Sequence, residues 1–120
     1  MATITEDYVS FETALLLKEK GFEQVGCKKQ YNTLGDLCVG YCYGPVAPTL
    51  QMAMKWLRVV HNLSVEVYRT DCGYIGCITA IPSGTVKFLE TDGDDLASGQ
   101  YTKWEYACEA AIKYCLEHLI

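Results

Sequence analysis

The residues of this chain best suited to chemistry are its seven cysteines, in a sequence of 120 residues. They are Cys27, Cys38, Cys42, Cys72, Cys77, Cys108 and Cys115. The spacings Cys38-x3-Cys42 and Cys72-x4-Cys77 could suggest a four-thiolate zinc site. Structural zinc sites use tighter spacings such as Cys-x2-Cys, and Cys38 and Cys42 on one strand would lie about 13 Å apart. The spacing therefore predicts no metal site, and the odd cysteine count excludes a complete set of intramolecular disulfides.

The positions of the other cysteines favour packing over reactivity. Cys108 and Cys115 share one face of a predicted helix, so both are expected in the core. At the N terminus, Glu6 and Asp7 occupy positions where a secretory signal peptide carries positive charge. We therefore predict a cytoplasmic protein of a bacterial cell with reduced thiols, since disulfides are rare in that compartment. Redox sensing or another cysteine-dependent activity is the alternative.

Catalytic motifs are missing from the sequence. It contains no Gly-x-Ser-x-Gly, no His-Glu-x-x-His, no glycine-rich phosphate loop and no Walker pattern. We therefore predict a protein that is not an enzyme and that uses no cofactor. Ten Lys and Arg residues stand against 15 Asp and Glu residues, which gives a net charge of −5. This balance disfavours the binding of nucleic-acid strands and of anionic membranes.

The nine tyrosines are the strongest indication of a binding function. Tyrosine combines a rigid apolar ring with a hydroxyl group, which suits interfaces and pockets that stack on a base. Arg58 and Arg69 are the two arginines, and a guanidinium can hold a phosphate. For any single tyrosine, a place in a half-buried strand is the more common explanation. The predicted ligand-binding residues are Tyr41, Tyr43, Arg58, Tyr68, Arg69 and Tyr74.

The elements that would position these residues are three helices and five strands in one domain, 1–120. Ser10 is a plausible N-cap of the first helix and Gly21 its left-handed C-terminal residue. Pro48 suits the first position of the second helix, and Thr102 with Glu105 forms a capping box for the third. Alternation and turn residues predict strands at 25–31, 37–43, 63–70, 74–81 and 85–90. The order α-β-β-α-β-β-β-α predicts an α+β fold with an antiparallel sheet.

The second helix is apolar over most of its circumference. One face carries Leu50, Ala53, Met54, Leu57 and Val60. A second face carries Met52, Trp56 and Val59, so we predict that a second subunit covers it. A self-complementary helix face favours a twofold homodimer.

Three segments of the sequence resemble a known family. They are 7–14 (DYVSFETA), 47–58 (APTLQMAMKWLR) and 106–116 (YACEAAIKYCL). Together they resemble small uncharacterised proteins encoded by Bacteroides and related gut bacteria and by their phages and mobile elements. The resemblance supplies no catalytic residues. It implies a phage accessory protein, and such proteins often inhibit host defence, some by sequestering nucleotide signals.

We therefore expect a non-enzymatic phage or mobile-element binding protein, with anti-defence sequestration of a small nucleotide as the first hypothesis. The alternative from a different class is a protein-protein inhibitor of a host factor.

Overall fold

The helices and strands follow the order that the sequence predicts. The computed structural model describes residues 7–22, 29–39, 44–71, 73–89 and 101–120. Its elements are α1 (Phe11–Glu19), β1 (Lys29–Tyr31), β2 (Leu37–Val39), α2 (Leu50–His61), β3 (Leu63–Thr70), β4 (Gly73–Ala80), β5 (Val86–Leu89) and α3 (Trp104–Tyr114). A π-helical segment, Cys115–Leu119, continues α3. The predicted α+β class and element order are confirmed.

The strands form two antiparallel sheets. Strands β1 and β2 pair with each other, and β3, β4 and β5 form a three-stranded sheet in that order. The β3–β4 ladder runs without interruption from the pair Leu63 and Ala80 to the pair Thr70 and Gly73. Predicted strand residues 25–28 and 40–43, which include Tyr41 and Tyr43, lie outside the described residues.

Helices α2 and α3 cover one face of the three-stranded sheet. Val65 and Ile78 point from this face into a core that also holds Leu57 of α2 and Ile112 of α3. Gly76 lies directly beneath α3, because a Cβ atom built there would sit 3.1 Å from the Ala107 carbonyl oxygen. The absence of a side chain at this position therefore sets how closely α3 approaches the sheet.

Helix α1 begins and ends as its sequence predicts. The Ser10 hydroxyl accepts a hydrogen bond from the Thr13 N–H. At the other end Gly21 has φ +94°, and the N–H groups of Gly21 and Phe22 donate to the carbonyls of Lys18 and Leu17. These two bonds are the Schellman pattern of a helix C-terminus.

Helix α2 begins two residues later than predicted, at Leu50 instead of Pro48. The Thr49 side chain accepts from the Met52 N–H, so Thr49 is the N-cap and Pro48 precedes it. Asn62 ends the helix in the left-handed region at φ 57°. Leu50, Ala53 and Leu57 are buried as predicted, whereas Val60 is 54% exposed.

The predicted N-terminus of α3 is wrong. Lys103 occupies the N-cap position and no side chain caps the helix there, so Thr102 and Glu105 do not form a capping box. Tyr101 exchanges both backbone hydrogen bonds with Tyr74 of β4, and this pairing with the sheet precedes the helix start. Leu119, four residues after the buried Cys115, is 45% exposed, because a π-helical turn holds more residues than an α-helical turn and shifts the later side chains.

In the described part of the chain, no helix has the length and apolar character needed to cross a bilayer.

Candidate functional site

The face of the three-stranded sheet opposite α2 and α3, here called the outer face, carries several exposed apolar side chains. Side chains alternate along a strand, so the residues between those that face the helices point outward. Phe88 is 60% exposed, Tyr68 47% and Val86 46%. The register places Phe88 opposite Cys77, and Cys77 opposite Glu66. The outer face comprises Ser64, Glu66, Tyr68, Ile75, Cys77, Thr79, Val86 and Phe88.

Tyr68 is held in place on the outer face by a neighbour on the same strand. Its hydroxyl donates a 2.6 Å hydrogen bond to Glu66 Oε2. This bond, together with the charge of the Glu66 carboxylate, raises the pKa of the Tyr68 hydroxyl above its ordinary value. The phenol is therefore a neutral hydrogen-bonding group at neutral pH and cannot serve as a phenolate base.

Two of the predicted ligand-binding residues meet beside the turn of the β3–β4 hairpin, on the sheet face opposite to Tyr68. Arg69 and Tyr74 are register partners, and the guanidinium carbon lies 5.0 Å from the centre of the Tyr74 ring. Arg69 is exposed and forms no ion pair within the described ranges. The stacked guanidinium keeps its N–H donors available to an anion.

The other predicted ligand-binding residues do not join this pair. Tyr68 precedes Arg69 directly, so its side chain points to the opposite face of the sheet. Arg58 lies exposed on α2. Tyr41 and Tyr43 are outside the described residues. Among the described candidates, the structure thus brings together Arg69 and Tyr74.

The predicted interface residues of α2 divide into two kinds. Met52 is 45% exposed and Val59 65% exposed, so both offer apolar surface. Trp56 is half-buried, with its ring edge-to-face against Phe22 at 5.5 Å and against His61 at 4.6 Å. Packing inside the same subunit thus accounts for part of the Trp56 surface.

The described cysteines on α3 and the π-helical segment are poor nucleophiles. Cys108 and Cys115 are fully buried, and burial raises the pKa of each thiol to about 12. The Cys108 Sγ donates to the sulfur of Met54 at 3.2 Å. Neither thiol hydrogen-bonds to His61 or His118, so no base is placed to activate them.

Cys38 differs from the other described cysteines. It is disulfide-bonded, so the prediction of reduced thiols is wrong at this position. Among the described residues, Cys77, Cys108 and Cys115 are free. The odd cysteine count excluded a complete disulfide set but left room for one bond.

A partly buried polar cluster at the start of α1, formed by Ser10, Thr13 and Glu109, was not predicted from the sequence. Glu109 of α3 accepts hydrogen bonds at Oε1 from the Ser10 N–H at 2.9 Å and from the Thr13 hydroxyl at 2.6 Å. The first bond is the one that a Glu three residues after the N-cap makes in a capping box. Here a distant helix supplies it, and no local sequence pattern could indicate that. The cluster therefore caps α1.

Tyr31 lies near this cluster and is also structural. Its hydroxyl donates to the Val9 carbonyl at 2.7 Å, and its ring packs edge-to-face on Phe11. Burial, and then the charge of Glu109, raise the pKa of the Tyr31 hydroxyl. It is therefore a neutral hydrogen-bond donor at neutral pH.

Within the described ranges, no three His, Cys, Asp or Glu side chains are grouped so that they could hold a metal ion. The chain matches no protein-family model, no curated protein and no solved structure.

Proposed function

We propose that this chain is a non-enzymatic binding protein that contacts another protein through the outer face of its three-stranded sheet. The observation that carries the proposal is the exposure of Tyr68, Val86 and Phe88 on one sheet face. Contiguous exposed apolar surface on a folded domain marks an interaction site, and aromatic residues are enriched at protein interfaces.

The scaffold under the outer face supports this function. The β3–β4 ladder has no bulge, and Ile78 and Gly76 fix β4 against α3 from beneath. A surface that is already ordered loses little conformational entropy when it binds. The polar groups of Glu66 and Thr79 would then surround the aromatic contacts, as in the polar rim of an interface.

The partner follows from the resemblance to phage and mobile-element proteins. In that setting the bound protein would be a host factor, and covering its surface would inhibit it. Inhibition by coverage needs no acid, base or nucleophile, in keeping with the high thiol pKa values of Cys108 and Cys115.

Site-specific photo-crosslinking in host cells tests the proposal. A photoreactive phenylalanine analogue at position 88 should crosslink to a discrete host protein, whereas the analogue at Val59, exposed on α2, should not. Adding Val86→Lys on the outer face should abolish the product. The proposal fails if position 88 gives no specific product, or if positions 88 and 59 give the same one.

A second candidate function is the binding of a small nucleotide at Arg69 and Tyr74. The observation that favours it is the exposed guanidinium stacked 5.0 Å from the Tyr74 ring centre. The arginine would hold a phosphate and the tyrosine would support a base.

Calorimetric titration with a panel of cyclic and linear nucleotides tests this candidate. Binding heat from one of them should be lost in Arg69→Gln and kept in Arg58→Gln, which removes an exposed arginine from α2. No heat from any nucleotide, or equal loss in both variants, would contradict it.

A further inference from the structure

The two edges of the three-stranded sheet differ in their protection against pairing with another strand. Strand β5 forms one edge, is four residues long and carries Lys87. Among the described residues, strand β3 forms the other edge. It is eight residues long and contains no proline, glycine or lysine. Its ladder with β4 has no bulge. Proteins usually protect an edge with short length, charged side chains, proline or a bulge. Strand β3 is long, regular and free of proline, and the charges it carries are those of Glu66 and Arg69.

The backbone groups on the free edge of β3 can be identified from the pairing of β4. Tyr74 exchanges both backbone hydrogen bonds with Tyr101, on the side of β4 away from β3. Arg69 is the register partner of Tyr74, so the two form a non-hydrogen-bonded pair and the Arg69 backbone groups point away from β4. By alternation, Leu63, Val65 and Val67 also direct their N–H and C=O groups to the free edge.

We propose that β3 pairs antiparallel with β3 of a second copy of this chain, around a twofold axis at Val67. Val67 then forms a hydrogen-bonded pair with its own equivalent, and Val65 forms one with Arg69 of the second copy. These pairs supply about six backbone hydrogen bonds across the axis. The two sheets become one sheet of six strands.

The side chains of β3 select this register. Glu66 comes to lie opposite Tyr68 of the second copy, and the phenol already donates to this carboxylate within one chain at 2.6 Å. An axis at Glu66 would instead place two carboxylates directly opposite each other, which is unfavourable. A twofold axis at Val65 or at Tyr68 would leave fewer residues of β3 paired with the second copy.

A twofold arrangement also ends the assembly at two copies. Pairing β3 with β5 of another copy would leave a free edge at each end and would extend into a fibre, whereas β3 with β3 is closed. The pairing uses the strand edge, involves Glu66 and Tyr68 at the border of the outer face, and leaves Val86 and Phe88 open. The crosslinking experiment at position 88 therefore tests partner binding separately from this pairing. The apolar side chains of α2, Met52 and Val59, are the competing interface.

Charge variants at positions 66 and 68 test the pairing and its register together. Tyr68→Glu places a glutamate opposite Glu66 of the second copy, at two symmetric positions. The double variant Glu66→Lys, Tyr68→Lys places lysines opposite lysines in the same way. Both changes are at exposed positions, and circular dichroism checks that each variant is folded.

Sedimentation equilibrium at micromolar concentration measures the dimer. The wild-type chain should dimerise, each charge variant alone should dissociate at least about tenfold more readily, and an equimolar mixture of the two variants should recover the dimer. Val59→Lys on α2 should leave the dimer unchanged.

Four outcomes would overturn the proposal: a monomeric wild-type chain, unaltered dimerisation of the charge variants, failure of the mixture to recover the dimer, or loss of the dimer in Val59→Lys. A monomeric wild-type chain would mean that the edge of β3 pairs with a strand of a different protein. Loss of the dimer in Val59→Lys would mean that the dimer interface lies on α2.

Discussion

The two faces of the three-stranded sheet are built from the same strands but meet different surroundings. Strand β4 is apolar on both faces: Gly76 and Ile78 point toward α3, while Ile75 and Cys77 point to the outer face. Ile78 is 2% exposed, whereas Phe88 on the outer face is 60% exposed. The large apolar side chain of Ile78 is thus buried where a helix covers the sheet, whereas on the other face the small side chain of Cys77 is buried and Phe88 stays exposed. On the uncovered face, the exposed apolar residues form the surface that we propose binds a partner.

The largest difference between the two faces is expected when a core residue and an outer-face residue are each replaced by alanine. Ile78→Ala should lower the free energy of unfolding by about 2–5 kcal/mol, because it removes buried methyl groups and leaves a cavity beneath α3. Phe88→Ala removes a larger side chain but should change the free energy of unfolding by no more than about 0.5 kcal/mol, since most of the ring is exposed. Urea denaturation measures both.

A larger loss of stability in Phe88→Ala than in Ile78→Ala would contradict this difference between the two faces. A loss of several kcal/mol in Phe88→Ala would mean that the outer face is covered in solution and belongs to the core. Equal urea m-values for both variants are the control that the two transitions expose the same surface.

On the face that α2 and α3 cover, a larger side chain at Gly76 should also destabilise the fold. Gly76→Val places methyl groups where a single Cβ already lies 3.1 Å from the Ala107 carbonyl oxygen and 3.3 Å from the Ala111 Cβ. The resulting shift of α3 should lower the free energy of unfolding by about 1–3 kcal/mol.

Gly76→Ala serves as the graded control for this overpacking. Its smaller side chain needs a displacement of a few tenths of an ångström, so the loss in urea or thermal unfolding should be smaller than for valine. An increase in stability with valine would mean that α3 does not limit the space above β4.

The covered side further depends on the cap that α3 supplies to α1. Glu109→Ala removes the acceptor of the Ser10 N–H and of the buried Thr13 hydroxyl. The free energy of unfolding should fall by about 1–2 kcal/mol. Glu109→Gln keeps an acceptor oxygen and should lose less. Equal losses in the two variants would mean that the carboxylate acts through its charge and not as a cap.

The fold was predictable where local chemistry decides the structure. Residues 63–70 alternate, and β3 has the predicted bounds. Ser10 and Gly21 begin and end α1 through contacts within a few residues. The predicted cap at Thr102 failed because the pairing of Tyr101 with Tyr74, about 27 residues away in sequence, intervenes. The cap at Glu109 could not be predicted, since it joins residues 99 apart.

The candidate site could be predicted only in part, from the short sequence distance between Arg69 and Tyr74. Arg69 and Tyr74 face each other across a short hairpin, so proximity in sequence brings them together. Tyr68 and Arg69 are adjacent in a strand, and alternation alone places them on opposite faces. The exposure of the outer face depends on where α2 and α3 pack, which the strand sequences do not encode.

The smallest expected effect is a pH dependence on the covered side, at the surface contact between α1 and α3. Lys113 donates a 2.7 Å hydrogen bond to Glu12 Oε2, and this bond and the lysine charge hold the pKa of Glu12 below its ordinary value. A carboxylate with a lowered pKa adds stability above its unfolded pKa and loses it as the pH falls through the folded value. Both side chains are exposed, so solvent screening keeps the contribution small.

Urea midpoints across pH 3 to 7 separate this contact from general acid effects. The urea midpoint of the wild type should be slightly higher than that of Glu12→Gln above about pH 5. The difference should disappear as the pH falls through the lowered pKa of Glu12. Glu19→Gln is the matched control, because Glu19 lies exposed on the same helix and forms no ion pair within the described ranges. If both variants show the same pH dependence, the Glu12 contact contributes nothing to holding α1 on α3, and the Glu109 cap and apolar packing account for its position.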